Sequence, residues 1–308
     1  MSDPLTDAAV RRLGELVDWP DFSDTKYEIV ERIGRGGMGT VYRAHDRTLD
    51  RAVAIKVLSV PDAGGELATR LTREARILAG LEHPGLVPVH DVGVLADGRP
   101  FYVMKLVRGH RLDDSVRAMP GRVDRLRVFL RICDAVAFAH SAGVIHRDLK
   151  PENVMVGAFG EVLVLDWGVA RRLGDSISPS TDATGPGTVL GTLGFMAPEL
   201  AAGQADQSDA RTDVFALGAI LRLLATVDGE CPRPVAAICE RAQIADPAGR
   251  YPSVGELAAD VQRYTAGEPV SAYREGAMEQ VGRLVAKHRT AVALVGVYVI
   301  VRIILMFA

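Results

Sequence analysis

The pattern of apolar and polar positions through residues 27–58 is strand-like. "YEIVERIG" alternates, "TVYRAHD" follows a glycine cluster, and "RAVAIKVL" is a β-prone run after a turn at Leu49 to Arg51. The period then changes. "GELATRLTREARILAGL" carries Leu67, Leu71, Leu78 and Leu81 among its apolar positions and predicts a helix. Strands return in "GLVPVHDVGVLADGRPFYVMKLV", divided by a turn at Asp97 and Gly98. Beyond them Leu126, Phe129, Leu130, Cys133, Ala137 and His140 recur at helical spacing until Gly143 supplies a stop. A β-rich first third before an α-rich remainder predicts an α+β fold of two lobes.

Both ends depart from this pattern. Residues 1–26 hold a short amphipathic segment with Ala9, Leu13, Leu16 and Val17 at helical spacing, and no function attaches to it. It lacks the basic start and apolar run of a signal peptide. At the other end, "AVALVGVYVIVRIILMFA" (291–308) contains one charge, Arg302. As a helix it would be about 27 Å long, close to the roughly 30 Å hydrocarbon core of a bilayer. A core helix normally keeps a polar face, and this run is apolar all round. It therefore predicts a transmembrane helix, with Arg302 near enough to one end to snorkel. Arg283, Lys287, His288 and Arg289 precede it and favour a cytoplasmic side for the rest of the chain.

Composition adds little beyond exclusions. A chain of 308 residues with a net charge of −3 has no basic field to suggest nucleic acid as a partner. Cys133, Cys231 and Cys239 have neither metal-binding spacing nor an even count for pairing, which fits a reducing compartment.

Three motifs carry chemistry. "GRGGMGTV" fits G-x-G-x-x-G-x-V and joins two predicted strands rather than opening a helix, which suits a flap whose amides approach phosphates. "VAIK" ends the next strand on Lys56, one of only five lysines in a chain that otherwise uses arginine. A compact ammonium suits phosphate oxygens, and near a core it needs an acid, for which Glu74 is better placed than Glu66. "IHRDLKPENVM" packs Asp148, Lys150 and Asn153 into six residues. Asp148 can orient a hydroxyl and take its proton, Lys150 can neutralise a phosphoryl group, and Asn153 offers oxygen to a hard cation. In "VLDWGVARR", Asp166 closes an apolar strand before Trp167 and Gly168. Alone, the triplet is equally a turn cap or a metal-holding acid.

Together and in this order, these motifs resemble those of a eukaryotic-type (Hanks-type) serine/threonine protein kinase as found in bacteria, over residues 27–267. The resemblance implies a bilobal fold, with a small β-rich lobe containing one helix (27–107) and a larger helical lobe (108–267). A basic juxtamembrane segment (268–290) and the transmembrane helix (291–308) would follow. It also implies that Gly34, Arg35, Gly36, Gly37, Met38 and Gly39 cover the phosphates of ATP, and that Lys56 pairs with Glu74. Met104 would be the gatekeeper, and Lys105, Leu106 and Val107 the hinge. Val41, Ala54 and Met155 would sandwich adenine. Asp148 would be the catalytic acid-base residue, and Asn153 and Asp166 would hold Mg²⁺, with Mn²⁺ as an alternative. Glu199 of "APE" would pair with Arg250, Asp213 would brace the catalytic loop, and Thr192 would favour Ser/Thr over Tyr substrates.

Arg147 beside Asp148 implies regulation by a phosphate on the segment 174–188, which offers Ser176, Ser178, Ser180, Thr181, Thr184 and Thr188. The expected partners are protein substrates and the membrane, with a homodimer for trans-autophosphorylation as a family-level expectation. The expected place is the inner or plasma membrane, single-pass.

Two departures from the family pattern stand out. Trp167 replaces the usual phenylalanine in a column that would comprise Leu78, Val89, Trp167 and His146 above Asp213. The stretch from Asp213 to Arg250 is short for the family, so substrate-docking elements are abbreviated while the nucleotide side is complete. Lys105 and Arg111 are unusual too, and read as surface variation. An ATP-binding pseudokinase or scaffold at the membrane is the alternative function.

Overall fold

The computed structural model describes residues 19–36, 39–58, 75, 79–167, 171–172, 194–204 and 208–287, with 294, 297–298, 300–302 and 305–306. These residues fall in two compact units, neither contiguous in sequence. One draws on Met1–Leu112, Phe138–Asp148 and Glu152–Gly191, the other on Asp113–Ala137, Leu149–Pro151 and Thr192–Ala308.

The first unit is built on a five-stranded antiparallel sheet of order β1-β2-β3-β5-β4. Its strands are β1 (Tyr27–Gly36), β2 (Gly39–Asp46), β3 (Arg51–Leu58), β4 (Val89–Val94) and β5 (Pro100–Lys105). Alternation decides which face is buried. Tyr42 and Ala44, then Val53, Ile55 and Val57, then Phe101 and Val103 form one cluster with Phe22, Tyr27 and Leu95. Phe22 packs edge-on against Phe101 with ring centres 4.9 Å apart, so residues just before β1 close the end of that core. The β2–β3 turn needs a left-handed residue, supplied by Asp50 at φ 48°, and Gly98 at φ 84° does the same between β4 and β5. Of the helix predicted before β4, Ala75 and Ala79 are helical, while Gly80 lies in a turn and Leu81 is outside the helix.

A smaller sheet of order β6-β8-β9 belongs to the same unit: β6 (Gly109–Arg111), β8 (Val154–Gly157) and β9 (Val162–Val164). Strand β7 (Val144–Ile145) pairs with β10 (Arg171–Arg172).

Helices make up the second unit. Helix α1 (Arg122–Ser141) contributes residues to both units, and α2 (Ala210–Thr226), α3 (Arg233–Ala242), α4 (Val254–Thr265) and α5 (Ala277–Lys287) belong to the second. The chain passes from α2 straight to α3 through residues 227–232, with Gly229 at φ 113° making the turn. The two helices approach closely at Gly218, where a β-carbon would stand 2.7 Å from that of Ala242. Val214, Leu217, Ile220 and Leu224 of α2 and Val235 and Ile238 of α3 are fully buried.

A polar knot closes α4. Asp260 is completely buried and accepts from Tyr251 Oη at 2.7 Å and Ser271 Oγ at 2.7 Å. The amides of Ser271 (2.8 Å) and Ala272 (3.2 Å) donate to it as well, and Arg263 adds a charge partner. Burial alone would push this carboxyl up, but these hydrogen bonds outweigh it and hold Asp260 below its ordinary value of 3.8. A depressed carboxylate stabilises above the unfolded value, and that contribution is lost as pH falls through the lower folded value.

Among the described residues no helix is long and apolar enough to cross a membrane. Most of 291–308 lies outside the described residues, as do residues 1–18.

Asp260→Ala should lower the unfolding free energy by about 3 kcal/mol in denaturant titrations. Asp260→Asn should flatten the loss of stability between neutral pH and pH 3. A slope unchanged from the parent would show that the carboxylate is not what holds the knot.

Candidate active site

Register, more than proximity in sequence, assembles the nucleotide side. Directly opposed residues in antiparallel strands point to the same face. Val41 lies opposite Lys56, and Ala54 opposite Met104, on the face away from the buried cluster. Two of the residues expected to sandwich adenine, Val41 and Ala54, are thus brought by strand pairing onto one face with Lys56 and the expected gatekeeper Met104. Arg111 sits opposite Met155, which places that residue on the sheet whose last strand, β9, leads into Asp166. At the flap, Gly34 opposes Val41, Arg35 opposes Thr40, and Gly36 opposes Gly39. A β-carbon on Gly39 would stand 2.3 Å from the carbonyl oxygen of Val57, so this position admits no side chain. Lys105 is exposed and Val107 half-buried. Gly37 and Met38 lie outside the described residues.

Lys56 is the buried cation of this face, 7% exposed, and its Nζ pairs with Asp166 Oδ1. A cation so placed needs an acid, and the structure supplies one the sequence reading did not assign to it. Glu74 lies outside the described residues.

Asp166 is presented by a constrained backbone. Its φ is 58°, the left-handed region that aspartate tolerates better than most residues. The bend is held from both sides. Leu165 N donates to Asn153 O at 2.7 Å, and Val164 N to Gly85 O at 2.9 Å. After the bend, Trp167 is 2% exposed, and its indole N–H donates to Val164 O at 3.2 Å. Its ring centre lies 4.5 Å from that of His146. His146 is fully buried and meets Leu165 O through Nε2 at 2.9 Å. Two members of the expected column therefore touch, and Leu78 lies outside the described residues.

The catalytic loop is organised by one amide. Asn153 Nδ2 donates to Asp148 O at 2.8 Å and to Asp148 Oδ2 at 3.2 Å. That spends the nitrogen on Asp148 and leaves Oδ1 as the atom suited to a cation. The amide of Asp148 donates to His146 Nδ1 at 3.3 Å. Arg147 adopts φ 70°, a second non-glycine left-handed residue beside the first bend. Lys150 is half-buried in the second unit.

An amide oxygen and a carboxylate on chain segments tied by the Leu165–Asn153 hydrogen bond form a hard oxygen donor set. It fits Mg²⁺, and Lys56 beside Asp166 fits a polyphosphate. These residues match the demands of MgATP.

In the second unit the expected pair also forms. Arg250 makes a two-pronged contact with Glu199, Nη1 to Oε1 and Nη2 to Oε2, both 2.8 Å. Arg250 further donates to the carbonyls of Ile244, Ala245 and Arg211, and Thr212 Oγ1 donates to Glu199 Oε1 at 3.0 Å. Burial would raise Glu199, but Arg250 and Thr212 more than offset it, and the carboxyl lies below its ordinary value. Thr212 was not foreseen, although it directly precedes Asp213. Asp213 is completely buried in α2. Thr184, Thr188 and Thr192 lie outside the described residues, as does the rest of segment 174–188.

Comparison with known proteins agrees with this geometry. The protein kinase domain family matches residues 27–242. A serine/threonine-protein kinase PknD of Protochlamydia amoebophila is 34% identical over 301 residues, covering 78% of this chain and 30% of the relative. A probable serine/threonine-protein kinase of Streptomyces coelicolor, SCO3848, is 35% identical over 282 residues, covering 80% and 41%. The chain thus spans well under half the length of these relatives. Among solved structures, the kinase domain of PknI from M. tuberculosis superposes with a TM-score of 0.58 at 26% identity, over 79% of this chain and 96% of that one. The chain belongs to the protein kinase domain family. Within it, the chain is similar to serine/threonine-protein kinases of bacteria.

Trp167→Phe keeps the ring but removes the bond to Val164 O. It should cost about 1 kcal/mol of stability and leave kcat within about twofold, because Asp166 is held by other bonds. A large change in kcat at unchanged stability would show that the indole governs the acid directly. Arg250→Lys loses the planar fork and should cost about 3 kcal/mol, read by thermal unfolding.

Proposed function

We propose that the chain transfers the γ-phosphoryl group of MgATP to serine or threonine hydroxyls of proteins. The observation that carries the reading is the joint placement of Lys56, Asp166, Asn153 and Asp148 by one sheet face and one hydrogen-bonded hairpin. MgATP, when bound, supplies the phosphoryl group and a divalent counter-charge. Lys56 orients phosphate oxygens, and Asn153 Oδ1 and Asp166 hold the metal. Asp148, fixed by the Asn153 amide, would take the proton of the acceptor hydroxyl as the new O–P bond forms and the bond from the γ-phosphorus to the bridging oxygen of the departing ADP breaks. Lys150 neutralises charge developing on the transferred group. Phosphoryl transfer asks for positioning and charge balance, and these side chains provide both.

The same reading makes the apolar run 291–308 a single-pass anchor in the inner or plasma membrane, with the kinase units on the cytoplasmic side. Phosphorylation of segment 174–188, read out by Arg147, would set activity, and a second copy would be the source of that phosphate. The direct passage from α2 to α3 favours a second reading. With little room for docking elements there, the chain could bind nucleotide as a scaffold.

Full-length protein with labelled ATP and Mg²⁺ separates the two. The parent should incorporate label, and Asp148→Ala and Lys56→Ala should each lose at least about a hundredfold. Nucleotide binding without incorporation would favour the scaffold. Mass spectrometry of active protein should find phosphate between residues 174 and 192, and none there would remove the proposed regulation.

A further inference from the structure

Helix α5 is docked the wrong way round for a helix of a water-soluble domain. Its polar side makes the contacts with the rest of the second unit: Glu279 lies 3.8 Å from Arg233 of α3, and Arg283 Nη1 donates to Gly267 O at 3.5 Å. Glu279 accepts from Tyr273 Oη at 3.0 Å and from the amide of Gly276 at 3.0 Å, capping the first turn. Four residues on, Arg283 Nε bonds both carboxylate oxygens of Glu275, at 3.0 and 2.9 Å. Met278 and Val281, three apart, share another side, centred about 150° from the first at 3.6 residues per turn. They are 88% and 62% exposed. A helix held to its own domain normally buries its apolar stripe and wets its charges. Here that order is reversed, so the outward stripe awaits a partner.

What covers it is indicated by where the chain goes next. Only residues 288–290 separate α5 from the apolar run 291–308. Leu294, Val297, Ile300 and Leu305 of that run are helical and exposed. The charge fits an anionic surface as well. Glu275 and Glu279 are engaged as described, while Arg274 is exposed and the sequence adds Lys287, His288 and Arg289.

We infer that α5 lies along the membrane–water interface, with Met278 and Val281 in the headgroup–acyl boundary of an anionic leaflet. The inference rests on the reading of 291–308 as an anchor. The chain would then meet the bilayer at two places, a spanning run and a surface helix that limits how far the second unit can stand from the lipid.

The test uses the full chain in vesicles of phosphatidylcholine and phosphatidylglycerol, in a Cys231→Ser background where Cys133 and Cys239 stay buried. An environment-sensitive fluorophore is placed at Val281→Cys or, as a control on the adjoining polar side, at Gln280→Cys. Lipids with a nitroxide near the headgroup should quench the probe at 281 at least about threefold more than the probe at 280, as an interfacial helix requires. Vesicle flotation reads the anchor separately. If the chain floats but both probes are quenched alike or stay water-like, the interfacial helix is wrong and the anchor stands. If the chain does not float, both fall. A probe at 281 that is shielded in proportion to protein density and untouched by nitroxide lipid would mean that a second copy covers the stripe, which also overturns the inference.

Discussion

The ion pair between Lys56 and Asp166 is the contact on which the first unit's chemistry depends. It joins a central strand of the five-stranded sheet to the bend that ends β9. Neither element would hold a charge well alone. A lysine this deep is costly without an acid, and an aspartate at φ 58° needs a reason to stay there. The pair gives each charge a partner, and these are the two charges proposed to meet a magnesium polyphosphate. The interior position of β3 matters as well, since a flanking strand on each side leaves Lys56 little freedom to turn away.

The bend itself is over-determined, which explains how it accommodates a tryptophan. His146 and Leu165, Leu165 and Asn153, and Asn153 and Asp148 form a chain of hydrogen bonds from the catalytic loop to the acid and back. Trp167 fills the space behind it and satisfies its own indole N–H on Val164, so the larger ring brings no unpaired polar atom into the core. The neighbour, Asp166, is the residue proposed to hold the metal, and its position is decided by main-chain bonds that do not involve the ring.

In the second unit, economy is the theme. The passage from α2 to α3 leaves no intervening helix, and Gly218 lets the two approach closely. The Arg250–Glu199 fork anchors the short helix after residue 197 to the loop before α4. Arg250 donates in all to a carboxylate and three carbonyls, so a single side chain replaces many apolar contacts. The Asp260 knot plays a similar part after α4. Both are buried acids held below their ordinary values by hydrogen bonds, so their contribution to stability is present above the ordinary carboxylate range and is lost as pH falls through the lower folded values.

Much of this was legible along the chain. Alternation, β-prone runs and the turns between them marked the five strands of the main sheet, and spacing marked α1, because local patterning is a property of consecutive residues. Glycine, lysine and aspartate motifs named the reactive groups, because phosphate and magnesium accept few residue types. Partner choice was not legible in the same way. Asp166 reaches Lys56 across 110 positions, Thr212 reaches Glu199 across 13, and Asp260 gathers Tyr251 and Ser271 from either side. Nor did the sequence mark α5 as a helix, since residues 268–290 read only as a basic juxtamembrane segment. Sequence alone determined which side chains are chemically able to do the work. The tertiary structure decided which of them meet, because hydrogen-bond partners and buried charges are chosen by strand register and helix docking, and these join residues far apart in the chain.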